Sequence, residues 1–198
     1  MIPVSLQPEP ADFDTKVRKK GFKWLRDNNI LLNKPPPETK KLPNYWTYSN
    51  KQLWETYSRT CAYLAIQFEW TTGAASTDHF VPKSRNAGAA YEWSNYRLSC
   101  LGPNRNKSNF EDILDPIGLA PYTFVLNFSD GCIYPNTNLD PDMKKKAQET
   151  IARLKLDSPE NNEMRARHYQ EYAKGECTLN YIKKWSPFVY SEIVRQEL

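Results

Sequence analysis

Asn33 to Pro43, NKPPPETKKLP, cannot be helical, because three prolines stand in a row and proline lacks the amide hydrogen a helix needs. The segment reads as an extended linker that closes an N-terminal arm. Within the arm, Phe13, Val17, Phe22, Trp24 and Leu25 lie near helical spacing and predict a first helix, with Gly21 weakening it. Elsewhere proline starts helices. Asp140-Pro141 and Ser158-Pro159 each set a capping side chain before a proline at the first helical position, and the helices they open carry Ala147, Ile151 and Leu154, then Met164, His168 and Tyr172. Ser186-Pro187 opens a C-terminal segment in the same way.

Ser49 followed by Gln52 has the form of a capping box, and Leu53, Tyr57, Cys61 and Leu64 recur behind it, which predicts a helix from about Asn50 to Ala65. Short β-prone pieces follow at Ile66 to Trp70, Thr77 to Val81 and Tyr96 to Ser99, the last two joined by a polar, glycine-containing loop. Asn104 to Leu114 reads as a short helix closed by Asp115-Pro116. Tyr122, Phe124, Leu126 and Phe128 alternate with smaller or polar residues ahead of the turn Ser129-Asp130-Gly131, predicting a hairpin with Cys132 to Tyr134. The expected fold is α+β, in one compact unit of three parts: a helical arm and linker over 1–48, a core over 49–116, and an accessory hairpin with C-terminal helices over 117–198.

A quarter of the 198 residues are charged and 13% are aromatic, which argues for a folded globule. No apolar run is long enough to span a bilayer, and MIPVSLQPEPADF has neither a basic nor a continuous apolar region of a secretory leader, so the expected location is cytoplasmic, with no membrane partner. Cys61, Cys100, Cys132 and Cys177 are too sparse for a disulfide scaffold and are read as reduced thiols. A net charge of +4 decides nothing by itself. Its distribution says more: from Pro82 to Asn109 the bases are Lys83, Arg85, Arg97, Arg105 and Lys107, against the single acid Glu92. That stretch could meet phosphates.

The same window holds the residues with chemistry. Asp78 and His79 are adjacent, Asn95 lies sixteen residues beyond His79, and Asn104 lies nine beyond Asn95, in Asn104-Arg-Asn-Lys107. Phosphodiester hydrolysis needs an activated water, charge neutralisation at the phosphate oxygens and support for the leaving oxygen. A neutral imidazole can take the water's proton. A hard cation such as Mg²⁺ or Mn²⁺ prefers oxygen ligands and keeps several waters, so the Asp78 carboxylate and the Asn104 carboxamide would make a plausible, incomplete site. Neighbours on a regular strand point to opposite faces, so Asp78 and His79 can converge on one phosphate only if the strand ends or twists there.

From Thr77 to Asn109 the chain resembles the ββα-metal core of HNH endonucleases, whose pattern is an acid or His beside a His, a central Asn, and a final His or Asn leading into N-x-x-K. The Asn-to-Asn spacing and the N-R-x-K-S ending are also similar to the HNH domains of RNA-guided CRISPR effectors. More loosely, the hairpin end GCIYPN, the helix TIARLKLD and MRARHY resemble HNH proteins of retron- or Septu-type antiphage loci. The resemblance implies a metal-dependent endonuclease with His79 as general base, Asn95 holding the loop and the ring, and Asp78 and Asn104 on the metal. It implies nucleic acid, DNA before RNA, as substrate, with Lys107, Arg105, Arg97, Lys83 and Arg85 as phosphate contacts. It also implies an antiphage role, with an ATPase or other sensor as a possible partner. The alternative is a nucleic-acid-binding or partner-gated subunit that does not cut on its own.

Many such proteins carry two Cys-x-x-Cys pairs on a structural zinc; here Cys61 is followed by Leu64 and Cys100 by Pro103, so structural zinc is not expected. His168 reads as a satisfied helix-face residue, the Lys144-Lys145-Lys146 run and the Lys183-Lys184 pair as solvated faces before duplex-backbone contacts, and Trp24, Tyr45 and Trp46 as core before base-stacking platforms.

Overall fold

Two short strands meet because their sequences are β-prone and the loop between them folds back on itself. β1 (Ala75–His79) pairs antiparallel with β2 (Tyr96–Cys100), Asp78 opposite Arg97 and His79 opposite Tyr96, and α3 (Leu101–Lys107) follows β2 directly. The computed structural model describes residues 1–198, with α1 (Lys19–Asp27) and α2 (Asn50–Thr56) ahead of this hairpin. Beyond it lie β3 (Phe124–Leu126) paired with β4 (Ile133–Pro135), then α4 (Pro141–Leu154), α5 (Pro159–Ala173), α6 (Leu179–Trp185) and α7 (Pro187–Arg195). Seven helices and two separate antiparallel pairs make the chain α+β. No helix is long and apolar enough to cross a membrane.

The chain divides into two compact units with interleaved segments, Leu6–Arg59 with Trp70–Glu111, and Met1–Ser5 with Thr60–Glu69 and Asp112–Leu198. This cuts the chain at different points from the three-part division read from sequence. In the first unit a π-helical turn, Asp14–Arg18, runs into α1. It buries Phe13, Val17 and Leu25 with Leu53, Tyr91, Trp93, Tyr96 and Leu98. Phe13 meets Trp93 and Tyr96 edge-on at 5.4 and 5.6 Å. Residues 31–44 are irregular, as proline requires, but not a free linker: the amides of Ala87 and Gly88 donate to the carbonyls of Lys34 and Leu32 at 2.9 and 2.8 Å, and Tyr91 Oη donates to the Pro43 carbonyl at 3.0 Å.

Two helices differ from their sequence reading. α2 stops at Thr56 rather than near Ala65, because Ser58 and Arg59 turn into left-handed conformations, φ 52° and 63°, and the Arg59 amide closes onto the Trp54 carbonyl at 2.8 Å. Ser49 does not cap it; its hydroxyl donates to the Trp46 carbonyl, and Gln52 reaches Asp12 instead. α3 starts three residues before Asn104 and ends at Lys107, where Ser108 takes φ 50°. Ile66 to Trp70 forms no strand, only an isolated bridge between Thr60 and Gln67.

In the second unit the proline-led helix starts hold, except that Ser186 does not cap α7, its hydroxyl being buried without a hydrogen-bond partner. Asp140 and Ser158 accept from the amides of Met143 and Asn161 ahead of Pro141 and Pro159, and Thr178 caps α6. Two charged residues are buried there against internal partners. Arg165 donates to the carbonyls of Gly131 and Leu156 at 2.7 and 2.9 Å, and Glu192 accepts from the Leu126 amide at 2.8 Å while pairing with Arg195 at 2.7 Å. His168 lies on α5 as read, but its Nδ1 is buried without a hydrogen-bond partner.

Gly21 explains its own place in a helix. A Cβ there would fall inside the ring of Tyr91, which is fully buried and cannot retreat. Gly21→Ala should therefore lower the unfolding free energy by about 1–3 kcal/mol in urea despite alanine's better helix propensity, and a stabilised variant would contradict this packing.

Candidate functional site

Pleating sorts β1 into two faces. Ser76 and Asp78 share one with their partners Ser99 and Arg97, and Thr77 and His79 share the other with Leu98 and Tyr96. α3 lies on the first face. Asn104 Nδ2 donates to Ser76 Oγ at 2.9 Å, and one helical turn on, Lys107 Nζ sits 3.1 Å from Asp78 Oδ1 and donates to the His79 backbone carbonyl at 2.8 Å. Both members of this pair are buried, Asp78 at 2% and Lys107 at 0% exposure. The carboxamide oxygen of Asn104 makes no hydrogen bond and lies on the same face as the Asp78 carboxylate.

The His79 ring lies on the opposite face at the strand's end. Its Nε2 is 3.1 Å from the Ala90 carbonyl, which also accepts from Tyr96 Oη at 2.8 Å. A carbonyl cannot donate, so Nε2 carries the proton and Nδ1 holds the lone pair. The edges of Trp46 and Tyr96 fix the ring plane at centroid distances of 4.8 and 5.2 Å. Burial, then the charges of Lys83 and Lys107, drive the imidazole pKa down to about 3 against the opposing Ala90 bond, so the ring is neutral at physiological pH.

Asn95 builds the loop that supplies this carbonyl. Its Oδ1 accepts from the Val81 amide at 2.7 Å, and its Nδ2 donates to the carbonyls of Val81 and Ala89 at 3.0 and 2.9 Å. The Phe80 amide meets the Asn95 carbonyl at 2.9 Å, ending the strand pairing directly after His79. The glycine-containing loop is thus an anchored turn system with Ala87, Ala90, Tyr91 and Trp93 buried in it.

The cations expected on phosphates divide into two groups. Lys83, Arg85 and Arg105 are on the surface, Lys83 over the Trp46 ring at 5.2 Å and Arg85 within 3.9 Å of Glu111. Lys107 and Arg97 instead point inward; Arg97, 4% exposed, donates to the carbonyls of Ser94 and Tyr96 at 2.8 and 2.9 Å and lies 5.1 Å over Phe80. Burial with internal partners is the physical reason they are not surface contacts. Sequence reading missed the Ala90 carbonyl, which has no side-chain signature, and Trp46, which is half-buried beside the imidazole rather than core.

The donors fit a hard divalent cation in kind, one carboxylate and one carboxamide oxygen on one face, although Asp78 already shares its charge with Lys107. No group of three or more His, Cys, Asp and Glu side chains gathers anywhere in the chain. Neither protein-family models nor curated proteins gave a match to this sequence.

An unfolded histidine titrates near 6.5, about three pH units above the folded His79, so between these values the unfolded chain binds the extra proton. The stability this residue contributes is whole above about pH 6.5 and falls as pH drops toward 3. Urea unfolding between pH 7.5 and 4.5 should show a steeper loss for wild type than for His79→Asn; equal slopes would contradict the buried neutral ring. Lys107→Met removes the cation from a buried carboxylate and should cost about 3 kcal/mol of stability in the same assay, against less than 0.5 for exposed Arg105→Met on the same helix.

Proposed function

We propose that the chain is a metal-dependent endonuclease of the HNH type, hydrolysing phosphodiester bonds of nucleic acid with His79 as general base, its hairpin and α3 serving as the ββα core. The observation that carries this reading is the tautomer of His79: with Nε2–H held on the Ala90 carbonyl, the basic Nδ1 is the nitrogen left to take a proton from water. A bound Mg²⁺ or Mn²⁺, held by the Asp78 carboxylate and the Asn104 carboxamide oxygen, would supply charge neutralisation at the phosphate and at the leaving oxygen. Because these oxygens and the imidazole lie on opposite faces of β1, a shared phosphate would have to sit at the strand's end, where pairing stops after His79.

The chain's own residues do the rest. Asn95 and the Ala90 carbonyl orient the ring, and Trp46 and Tyr96 keep it from turning. A pKa near 3 makes the resting imidazole a weak base, but two of its causes are the Lys83 and Lys107 charges. A phosphate drawn to the surface Lys83 offsets that charge and raises the ring's proton affinity as the substrate arrives. Lys83, Arg85 and Arg105 are the surface cations for the flanking phosphates.

A second reading is favoured by the ion pair between Lys107 and Asp78. With that carboxylate paired and buried, a cation reaches it only if Lys107 shares or releases it, which suits a nucleic-acid-binding or partner-gated subunit that is inert alone. An ATPase or other sensor, and a role in antiphage defence, belong to this gated form.

Single-stranded DNA, duplex DNA and RNA incubated with Mg²⁺ or Mn²⁺ distinguish the two. The endonuclease reading expects cleavage by wild type and a loss of about 10²- to 10⁴-fold in His79→Ala. Equal cutting by both proteins sinks the assignment of the base, and binding without cutting under either metal favours the gated subunit.

A further inference from the structure

We propose that the cleft between the proline-rich segment and the loop after β1 holds an unpaired stretch of a polynucleotide strand, with phosphates on Lys40, Lys41 and Lys83 and a base or sugar against Trp46. The cleft has a volume of about 800 Å³, and its walls include Pro36, Pro43 and Asn109 beside those four residues. Its only charged side chains are the three lysines. None of the three makes an ion pair: Lys40 donates to the neutral Asn28 Oδ1 at 3.0 Å, and Lys83 lies over the Trp46 ring at 5.2 Å.

Three ammonium groups around one concavity repel one another, and an anion in it relieves that repulsion. Lys83 is also disfavoured as a cation from behind the cleft, its pKa lowered by desolvation against the pull of Asp78, with buried Lys107 adding to the lowering. A simple anion would leave the apolar part of the wall unused, namely Trp46 and the two prolines. Nucleotides match both parts, since each carries a phosphate for a lysine and a flat face for an aromatic ring. Contact with the ring selects a strand over a duplex. The volume takes one or two nucleotides, and a base reaches the face of Trp46 only when it is unpaired and unstacked from its neighbours.

The cleft also has a direction. Trp46 forms its wall and touches the His79 ring edge-on at 4.8 Å, so the imidazole lies behind that wall, and a strand held in the cleft would reach it by continuing past the Trp46 side chain. Only this last step rests on the endonuclease reading.

The test is fluorescence anisotropy of labelled ten-nucleotide DNA and RNA single strands and of the matching duplexes, in EDTA, over a series of salt concentrations. Wild type should bind a single strand of at least one kind more tightly than its duplex. Lys40→Glu with Lys41→Glu should weaken that binding at least tenfold and reduce the salt slope by about 1.4, from two lost phosphate contacts. Lys183→Glu with Lys184→Glu, exposed on α6, should change it less than twofold. Unchanged affinity in the Lys40/Lys41 variant, an equal loss in the α6 variant, duplex preference, no binding of any strand, or equal binding of poly-glutamate would each overturn the proposal. Adding Mg²⁺ to the same strands separates the two claims. Cleavage with binding indifferent to Lys40 and Lys41 removes the cleft alone, whereas binding there without cleavage removes the endonuclease reading alone.

Discussion

An ammonium buried against a carboxylate holds the hairpin to its helix. Taking Lys107 out of water costs several kcal/mol, and that is offset only while Asp78, the His79 carbonyl and the face of Phe80 at 5.7 Å are all in place. The constraint is strict because α3 has little else to bury: its buried side chains are Pro103 and Lys107. Rotation of α3 would strand the charge, so the ionic contact sets the helix's orientation, and Asn104, one turn earlier, is drawn onto Ser76 as a consequence. The oxygens at positions 78 and 104 owe their shared face to an ion pair more than to apolar packing.

On the other face a single backbone carbonyl does the corresponding work. Ala90 accepts from both Tyr96 and His79, using both lone pairs of one oxygen, and Asn95 fixes that oxygen by bonding the preceding residue of the loop. Phe13 and Trp93 pack behind Tyr96, so the ring orientation of His79 is tied to the aromatic core. Adjacent residues of one strand end thus serve two layers, an ionic one and an aromatic one. They communicate through charge: Lys107 hydrogen-bonds the His79 backbone and lowers the proton affinity of its ring at the same time.

What could be read in the sequence was what local chemistry decides. The caps Asp140 and Ser158 declare their helices because the side chain and the amide it bonds are three residues apart. Composition and turn signals place strands at 77–81 and 96–99; the first in fact runs from 75 to 79, because the Phe80 amide turns onto the Asn95 carbonyl. The early end of α2 was illegible, since its left-handed residues are Ser58 and Arg59 where a glycine would have announced the turn. α3 begins ahead of Asn104, at Leu101, because Pro103 in the first turn forfeits only an amide that had no partner. The inward course of Lys107 and Arg97 depends on carbonyls and a carboxylate brought together by the fold. Nothing in their own sequence neighbourhood distinguishes them from surface bases.

The proline-rich segment shows how the same composition supports two different expectations. Its prolines rule out a helix, and from that alone a linker is the natural reading; the docking through the carbonyls of Leu32 and Lys34 leaves no trace in side-chain type. Once docked, the segment has properties a free linker lacks. Each proline holds its φ in either setting, so little backbone entropy remains to be lost when a ligand binds, and the flanking Lys40 and Lys41 project from a support that is already ordered. A flexible lysine-bearing tail would have to give up that freedom on every encounter with a polyanion. Fixing the backbone beforehand turns two unremarkable surface charges into one wall of a cleft whose other wall, Trp46, backs onto the imidazole.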